Sequence, residues 1–505
     1  MENRLGENVK TLLTESGIQF VGFGLKYGIS FISTLVMARL LGQVEYGGAS
    51  IGITILAVVS TLVLIGLDTG VSRNLPREDA AGKRGMIFSA GEIVLPISIG
   101  FGTILVILAP ALAVNVFHDA SIASSLRIFG LAIPIAAVMK LAVGAIRGTT
   151  RAAPRVYIQN VTLPISRLVF LLIFISLGLG AVGVAWAYLL SYMIAAALAT
   201  YFVVKLTPVI KSGPTPRMYR TLLSFSAPLI VASIMRLVLS DIDILMIGYL
   251  KSTVDVAEYN VIYQLSSLTT VFLSSVSYVF LPLLSKIDND GNSEMGSLLY
   301  RSVAKWLFVV TLPFIFVLIS FPELTLSLIF GSEYVSGAPA LVVLTLGFFI
   351  HTIFGPNVES LASIGETRTI MRIDVVAAVT NVFLNVTLIP MIDILGAAVA
   401  TTLSYILMNI MYSRRLYRIE GYYPFARNTA PTLIAMIVIT IIATICIHVV
   451  QNPVLQLVVC IIFLIGFFTI IYLLAIGEDE RAIFESITGT PDPDLADVLS
   501  NWNDS

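Results

Sequence analysis

The chain has 505 residues, of which 57% are hydrophobic and 12% charged, with a formal net charge of −1 and a mean hydropathy of +0.94. A water-soluble surface needs roughly a quarter of its residues charged, so half that share excludes a soluble globular protein and places most of the chain in lipid. The near-zero charge carries no signature of a nucleic-acid partner, and two cysteines inside apolar runs, Cys446 and Cys460, exclude a disulfide framework.

Residues 1–16 are polar and mixed in charge and are expected to form a cytoplasmic N-terminal segment. The apolar run that follows is too long for a signal peptide and leads straight into further runs, which predicts an uncleaved first helix. Successive apolar stretches centre on 17–38, 47–69, 86–110, 121–146, 156–177, 181–204, 221–247, 256–282, 303–321, 338–362, 373–391, 394–413, 428–450 and 454–476. Each matches the ~20 helical residues that cross a ~30 Å hydrocarbon core. Helix is the open-ended solution in lipid, where an unpaired backbone group finds no partner. The alternating ten-residue strands of a membrane barrel are absent. The predicted class is an all-α polytopic membrane protein with about 14 transmembrane helices.

Basic residues set the orientation. Under a fourteen-span count one side holds most of them, from Arg4, Lys10, Arg73, Arg77, Lys83 and Arg84 to Arg414, Arg415 and Arg418, while the opposite loops hold Lys251, with Arg39 at a helix edge. The positive-inside rule puts both termini in the cytoplasm of a multi-pass plasma (inner) membrane protein, with 477–505 as an acidic cytoplasmic tail.

The chain also repeats itself. Gly148, Arg151 and Arg155 are spaced as Gly365, Arg368 and Arg372, 217 residues later. Gly183, Ala185, Ala187, Ser191 and Tyr192 recur as Gly396, Ala398, Ala400, Ser404 and Tyr405 at an offset of 213, which Glu45-Tyr46 and Glu258-Tyr259 share. The repeat predicts two pseudo-symmetric six-helix lobes, 17–204 and 221–413, joined by a proline-bearing cytoplasmic linker at 205–220. A basic loop and two C-terminal helices follow at 414–476. Parallel repeats of this kind place a substrate site between the halves near mid-membrane.

Ala38-Arg39-Leu40-Leu41-Gly42 followed by Glu45-Tyr46-Gly47 resembles the first-loop signature of Wzx-type polysaccharide and oligosaccharide flippases. These belong to the multidrug/oligosaccharidyl-lipid/polysaccharide exporter superfamily. Arg73 with Pro76, Asp243 five residues before Gly248, and Ile389-Pro390 before Gly396-Ala397-Ala398 extend the resemblance over nearly the whole chain. It implies two lobes around a central cavity that opens alternately to each side and moves a polyprenyl-phosphate-linked glycan outward, with membrane lipid and glycan-assembly proteins as partners. No cofactor is implied. The two helices beyond the twelfth separate the chain from the multidrug branch, which usually has twelve.

Charges left inside spans carry the site expectation. Lys26, Arg127, Lys140, Arg167 and Arg236 each cost roughly 2.5–3.5 kcal/mol at mid-helix and so call for a cavity or a partner. Lys26, Arg167, Arg236 and Lys140 are expected to line a cationic cavity for the phosphate or pyrophosphate of the carrier, because arginine's planar fork suits phosphate oxygens. Arg127 lies near a bilayer edge, where snorkelling accounts for it. For Arg236 the competing reading is a pair with Asp241 or Asp243. Glu92 and Asp243 are candidates for coupling to a proton or sodium gradient. No catalytic residue and no metal site is expected: the three histidines are scattered, and neither H-E-x-x-H nor C-x-x-C occurs. Gly178, Gly180 and Gly183 spell a dinucleotide fingerprint but sit in an inter-span turn with no strand before it. Asn160-Val161-Thr162 and Asn385-Val386-Thr387 match a glycosylation sequon inside spans. Two other functions stand behind the flippase: cation-coupled export of a drug or metabolite, and a membrane glycan polymerase or ligase, which would need a larger external loop than 321–339.

Overall fold

The computed structural model describes the backbone of residues 2–149, 152–289, 293–424, 430–450 and 452–474; Arg151 and the acidic tail lie outside the described residues. Within them every regular element is helical, as a chain that must satisfy its own backbone in lipid requires. In chain order the helices are α1 (Glu2–Leu41), α2 (Gln43–Leu62), α3 (Leu67–Asn74), α4 (Ala80–Asn115), α5 (Ala123–Arg147), α6 (Ala152–Val156), α7 (Leu163–Ser176), α8 (Gly180–Leu206) and α9 (Tyr219–Leu250). They continue as α10 (Thr253–Ser267), α11 (Thr269–Asn289), α12 (Ser293–Ser320), α13 (Pro322–Ile329), α14 (Ala338–Ile353), α15 (Asn357–Ser363), α16 (Thr367–Glu420), α17 (Ala430–Val449) and α18 (Pro453–Leu474).

A helix underlies each of the fourteen expected spans, and ten of the described helices are long and apolar enough to cross a membrane. The protein is therefore an all-α polytopic membrane protein. Three departures from plain spans are instructive. The polar segment 2–16 is helical and continuous with the first span. The second span breaks at residues 63–66, where Ile65 (φ 50°) and Gly66 (φ 70°) turn the chain from α2 into α3. The eleventh and twelfth spans run on as α16 but hinge at Ile392 and Asp393 (φ 54°).

The described chain forms two compact units. The first comprises Met1–Val271, Glu323–Leu344 and Met371–Ser404. It thus gathers the whole expected first lobe with parts of the second, and the lobes at 17–204 and 221–413 remain a division made by the repeat. Within this unit the repeat is visible as geometry. Gly183 and Gly396, 213 residues apart, each sit just past an inter-span hairpin. A Cβ on Gly183 would lie 2.9 Å from the Phe174 Cβ, and one on Gly396 2.4 Å from the Leu388 carbonyl oxygen. The repeated glycine lets the chain fold back on itself tightly. The other matched pair, Glu45-Tyr46 and Glu258-Tyr259, lies on α2 and α10, which pack against each other. Gly47 makes that approach possible: a Cβ there would sit 1.7 Å from the Thr253 carbonyl oxygen.

The second unit comprises Phe272–Pro322, Thr345–Ile370 and Tyr405–Ser505. Its core joins Phe308, Leu312 and Phe316 of α12 to Leu433 and Met436 of α17 and to Phe463 and Phe467 of α18. Phe316 and Phe463 stack with centroids 3.9 Å apart, and the Ser320 and Thr444 hydroxyls share a hydrogen bond of 2.9 Å. The two C-terminal helices are thus docked on the ninth span.

Gly47→Ala is expected to force α2 and α10 apart at a backbone contact. Overpacking of this kind costs about 1–3 kcal/mol, read as a lower Tm of the full chain in detergent; an unchanged Tm would contradict the close approach.

Candidate functional site

The predicted cations separate into distinct settings. Lys26 lies on α1, one helical turn beyond Gly22. Gly22 rests on the fifth span, where a Cβ would come within 2.6 Å of the Val156 Cγ1 and 3.0 Å of the Asn160 Nδ2. Residues four apart share a helix face, so Lys26 is turned toward the same neighbour. Its charged neighbours are Arg167 and Arg155, both cations. The Arg167 guanidinium lies 4.0 Å above the centroid of the Tyr188 ring and 5.7 Å from that of Tyr192. These tyrosines are themselves one turn apart on α8. The ring contact is a cation–π interaction that holds the guanidinium against Tyr188, to whose side chain Arg167 is also hydrogen-bonded. Its Nε is buried and has no hydrogen-bond partner. Arg167 thus acts electrostatically on Lys26, and neither is in an ion pair with a carboxylate among the described residues.

Lys140 is held differently. Its ammonium donates to the Ser60 and Thr61 hydroxyls, each at 2.7 Å, and reaches the Ala57 carbonyl oxygen at 3.5 Å. All three belong to the last turns of α2, where the helix dipole favours a cation. Asp68, in the first turn of α3, and Asp241 are the acids that act on it, and Asp68 also pairs with Arg147 at 3.5 Å. Lys140 thus pins the break in the second span. Arg236 is exposed on α9. The carboxylates that could pair with it are engaged elsewhere: Asp241 accepts from Ser240 at 2.5 Å, and Asp243 is enclosed on its own.

Asp243 is 2% exposed and accepts three hydrogen bonds. Tyr259 Oη donates at 2.6 Å, Asn385 Nδ2 at 2.6 Å and Thr401 Oγ1 at 2.5 Å. Asn381 Nδ2 in turn reaches Thr401 Oγ1 at 3.2 Å, while the Asn385 Oδ1 is buried without a partner. The cluster draws on α9, α10 and both sides of the α16 hinge. A carboxylate enclosed in this way, in none of the ion pairs among the described residues, is a charge that only a proton or cation can neutralise. Glu92 does not share such an enclosure: it is exposed on α4 and accepts from the Tyr219 hydroxyl. Among the described residues, no group of three or more His, Cys, Asp or Glu side chains could hold a metal ion.

The signature loop has a clear structural task. Arg39 Nε donates to the Ile329 carbonyl oxygen at 2.8 Å, and its Nη2 donates to that of Leu328. Gln43 donates to the Glu333 carbonyl oxygen at 2.7 Å, and Tyr334 Oη to that of Ala38 at 3.2 Å. Arg39 therefore caps the C-terminal carbonyls of α13, the end where a cation is favoured, and Gly42 (φ 76°) makes the turn that follows it. An apolar cavity of about 260 Å³ between α4, α5 and α8, lined by residues such as Val94, Leu141 and Val203, holds none of the four predicted cations. Reading the sequence missed Tyr259, Asn381 and Thr401. The available signal was Asn381 and Asn385 one turn apart inside a span, the second of them read as part of a sequon.

Arg39→Ala is expected to lower the Tm, with Arg39→Lys restoring only part of the loss because an ammonium cannot fork to two carbonyls. The contact is exposed, so its contribution is about 1 kcal/mol; equal Tm values for all three proteins would deny it a capping role.

Residues 12–288 match the family described as polysaccharide biosynthesis protein, and residues 228–387 match MatE. The chain is 24% identical over 396 residues to a Haloferax volcanii protein named probable low-salt glycan biosynthesis flippase Agl15, covering 77% of this chain and 80% of that one. A second Haloferax volcanii protein, probable flippase AglR, is 26% identical over 215 residues, 40% of this chain and 41% of that one. Among solved structures, the lipid II flippase MurJ in an inward closed conformation superposes with a TM-score of 0.74 at 16% identity, covering 92% of this chain and all of that one. An inward-facing multidrug resistance MATE family transporter of the MOP superfamily superposes with a TM-score of 0.63 at 16% identity, covering 78% of this chain and 95% of that one. At these identities the structural likenesses speak to the fold. The family match spans more than half of the sequence: the chain belongs to the polysaccharide biosynthesis protein family.

Proposed function

We propose that the protein is a flippase, not an enzyme, that moves a lipid-linked oligosaccharide or polysaccharide precursor from the cytoplasmic to the outer face of the plasma membrane. The observation that carries this reading is the setting of Arg167: a guanidinium stacked on Tyr188, with a buried Nε that has no partner and a second cation, Lys26, beside it. Two neighbouring cations in lipid call for an anion, and the anion common to lipid-linked glycans is the phosphate or diphosphate that joins sugar to carrier. Family membership and the names of the two Haloferax volcanii relatives support the substrate class.

In this reading the lobes at 17–204 and 221–413 rock about the site, binding substrate from one side and releasing it on the other. Lys26 and Arg167 receive the phosphate group; Arg236, exposed on α9, adds a further cation, and Lys140 holds the broken second span in shape for the cavity. The basic-residue asymmetry sets both termini in the cytoplasm, so the Arg39 contacts to Leu328 and Ile329 close the outer side. Asp243 is the site of ion coupling. Neutralised by a proton or sodium ion, it would let α9, α10 and the α16 hinge stay packed; without that ion, its charge would loosen them. Glu92, being exposed, is the weaker candidate.

The MatE match over 228–387 favours a second reading, coupled export of a small molecule. Deleting the gene separates the two. The flippase reading expects glycan held on its lipid at the cytoplasmic face, with surface glycan lost and the sugar transferases active. Normal surface glycan with new drug sensitivity would overturn it. In the complemented strain Arg167→Ala is expected to cut surface glycan at least tenfold at equal protein level, with Arg167→Lys recovering part. Asp243→Asn is expected to leave a folded protein whose flux no longer follows the ion gradient; an undiminished gradient response would remove Asp243 from the coupling role.

A further inference from the structure

The fifth span contains an irregularity that the flippase reading leaves unused. Between α6 and α7 the backbone forms a π-helical turn over Tyr157–Thr162, part of one continuous span. Such turns accommodate an extra residue and are frequent at functional sites. Here the turn has a geometric effect on two arginines. Arg155, the last residue of the G-x-x-R-x-x-x-R motif, and Arg167 are twelve residues apart. In an α-helix that spacing makes three turns and about a third, which would point the two side chains about 120° apart. With one residue absorbed by the π turn, the separation behaves as eleven residues, and the mismatch falls to about 20°. The π turn therefore puts Arg155 and Arg167 on one face.

Lys26 lies opposite that face. Gly22, one turn before it on α1, rests directly on Val156 and Asn160, the first beside and the second within the π turn. The lysine's charged neighbours are the two arginines and no carboxylate. Arg155 also donates from its Nε to Gln159 Oε1 at 3.3 Å, which shows its side chain running along the helix in the direction of Arg167. Eleven effective residues rise about 16 Å, so Arg155 and Arg167 leave the helix at different depths, and both act electrostatically on Lys26.

We infer that Arg155, Lys26 and Arg167 form a track of three cations, aligned by the π-helical turn, along which the phosphate or diphosphate of the substrate advances from the membrane surface to mid-bilayer. Arg155 is the first rung and a specificity determinant for the anion. The inference rests on the flippase reading above. It goes beyond that reading by assigning a role to Arg155 and to the π turn, and by replacing a single seat with an ordered path.

The test uses the full chain purified in detergent and inorganic pyrophosphate as the probe, followed by isothermal titration calorimetry. Arg155→Ala is expected to weaken binding about tenfold at unchanged Tm, and Arg155→Gln, which keeps the side chain's polarity and reach toward Gln159, is expected to do the same if alanine lowers the yield. Restoring a cation on the same face, in R155A/Q159R, is expected to recover binding to within about threefold. Restoring it on the opposite face, in R155A/A153R, is expected to recover nothing. Equal recovery by both double variants would mean that only overall charge matters and would overturn the track. Wild-type binding in R155A, alongside weakened binding in R167A, would overturn the role of Arg155 and leave the flippase reading standing. Unchanged binding in K26A, R167A and R155A alike would overturn both.

Discussion

A charged side chain inside a membrane must be matched by a partner or by a polar space, and nearly every distinctive feature of this protein answers that demand. Arg39 spends its charge on the open carbonyls at the end of α13. Lys140 spends its own on the hydroxyls at the end of α2. Asp243 gathers a tyrosine from α10 and an asparagine and a threonine from the two sides of the α16 hinge. Lys26 and Arg167 are the contrast: they act on each other rather than on an acid, and Arg167 lies against the Tyr188 ring.

The same demand explains the irregular backbone. Broken and hinged helices survive in lipid only where the freed polar groups find other partners or line a cavity. The break at Ile65–Gly66 is bracketed by Lys140 on one side and Asp68 on the other. The α16 hinge at Ile392–Asp393 carries an ion pair from Asp393 to Lys251. The π turn at Tyr157–Thr162 needs no such repair because it keeps its hydrogen bonds within the helix, and its effect is to re-aim the side chains on either side.

Much of the fold was legible in the sequence. Apolar length set the spans, and the repeat pairs Gly183 with Gly396, each of which sits just past an inter-span turn. The Gly47 motif position turns out to be a place where helices approach too closely for a side chain, and at Gly248 a Cβ would press on the Ile51 side chain at 3.0 Å. The site was only half legible. Charge inside apolar runs could mark Lys26 and Arg167 as cations that need a partner or a cavity. It could not say that Lys140 was already satisfied by Ser60 and Thr61, since those partners are about eighty residues away. Nor could it find the Asp243 cluster, which assembles across 158 residues of chain. The π turn was hidden for a different reason: hydrophobic periodicity assumes 3.6 residues per turn, and a turn that absorbs an extra residue breaks that count.

The central claim is that this chain itself carries a phosphate-linked glycan lipid across a bilayer and that Arg167 holds the phosphate. The most direct measurement is translocation of a fluorescent sugar on a polyprenyl diphosphate in vesicles containing only the purified full chain, read by quenching from the outside. The account predicts transfer well above protein-free vesicles and at least a tenfold loss in Arg167→Ala. Transfer at the protein-free rate, or full transfer by the Arg167→Ala protein, would contradict it.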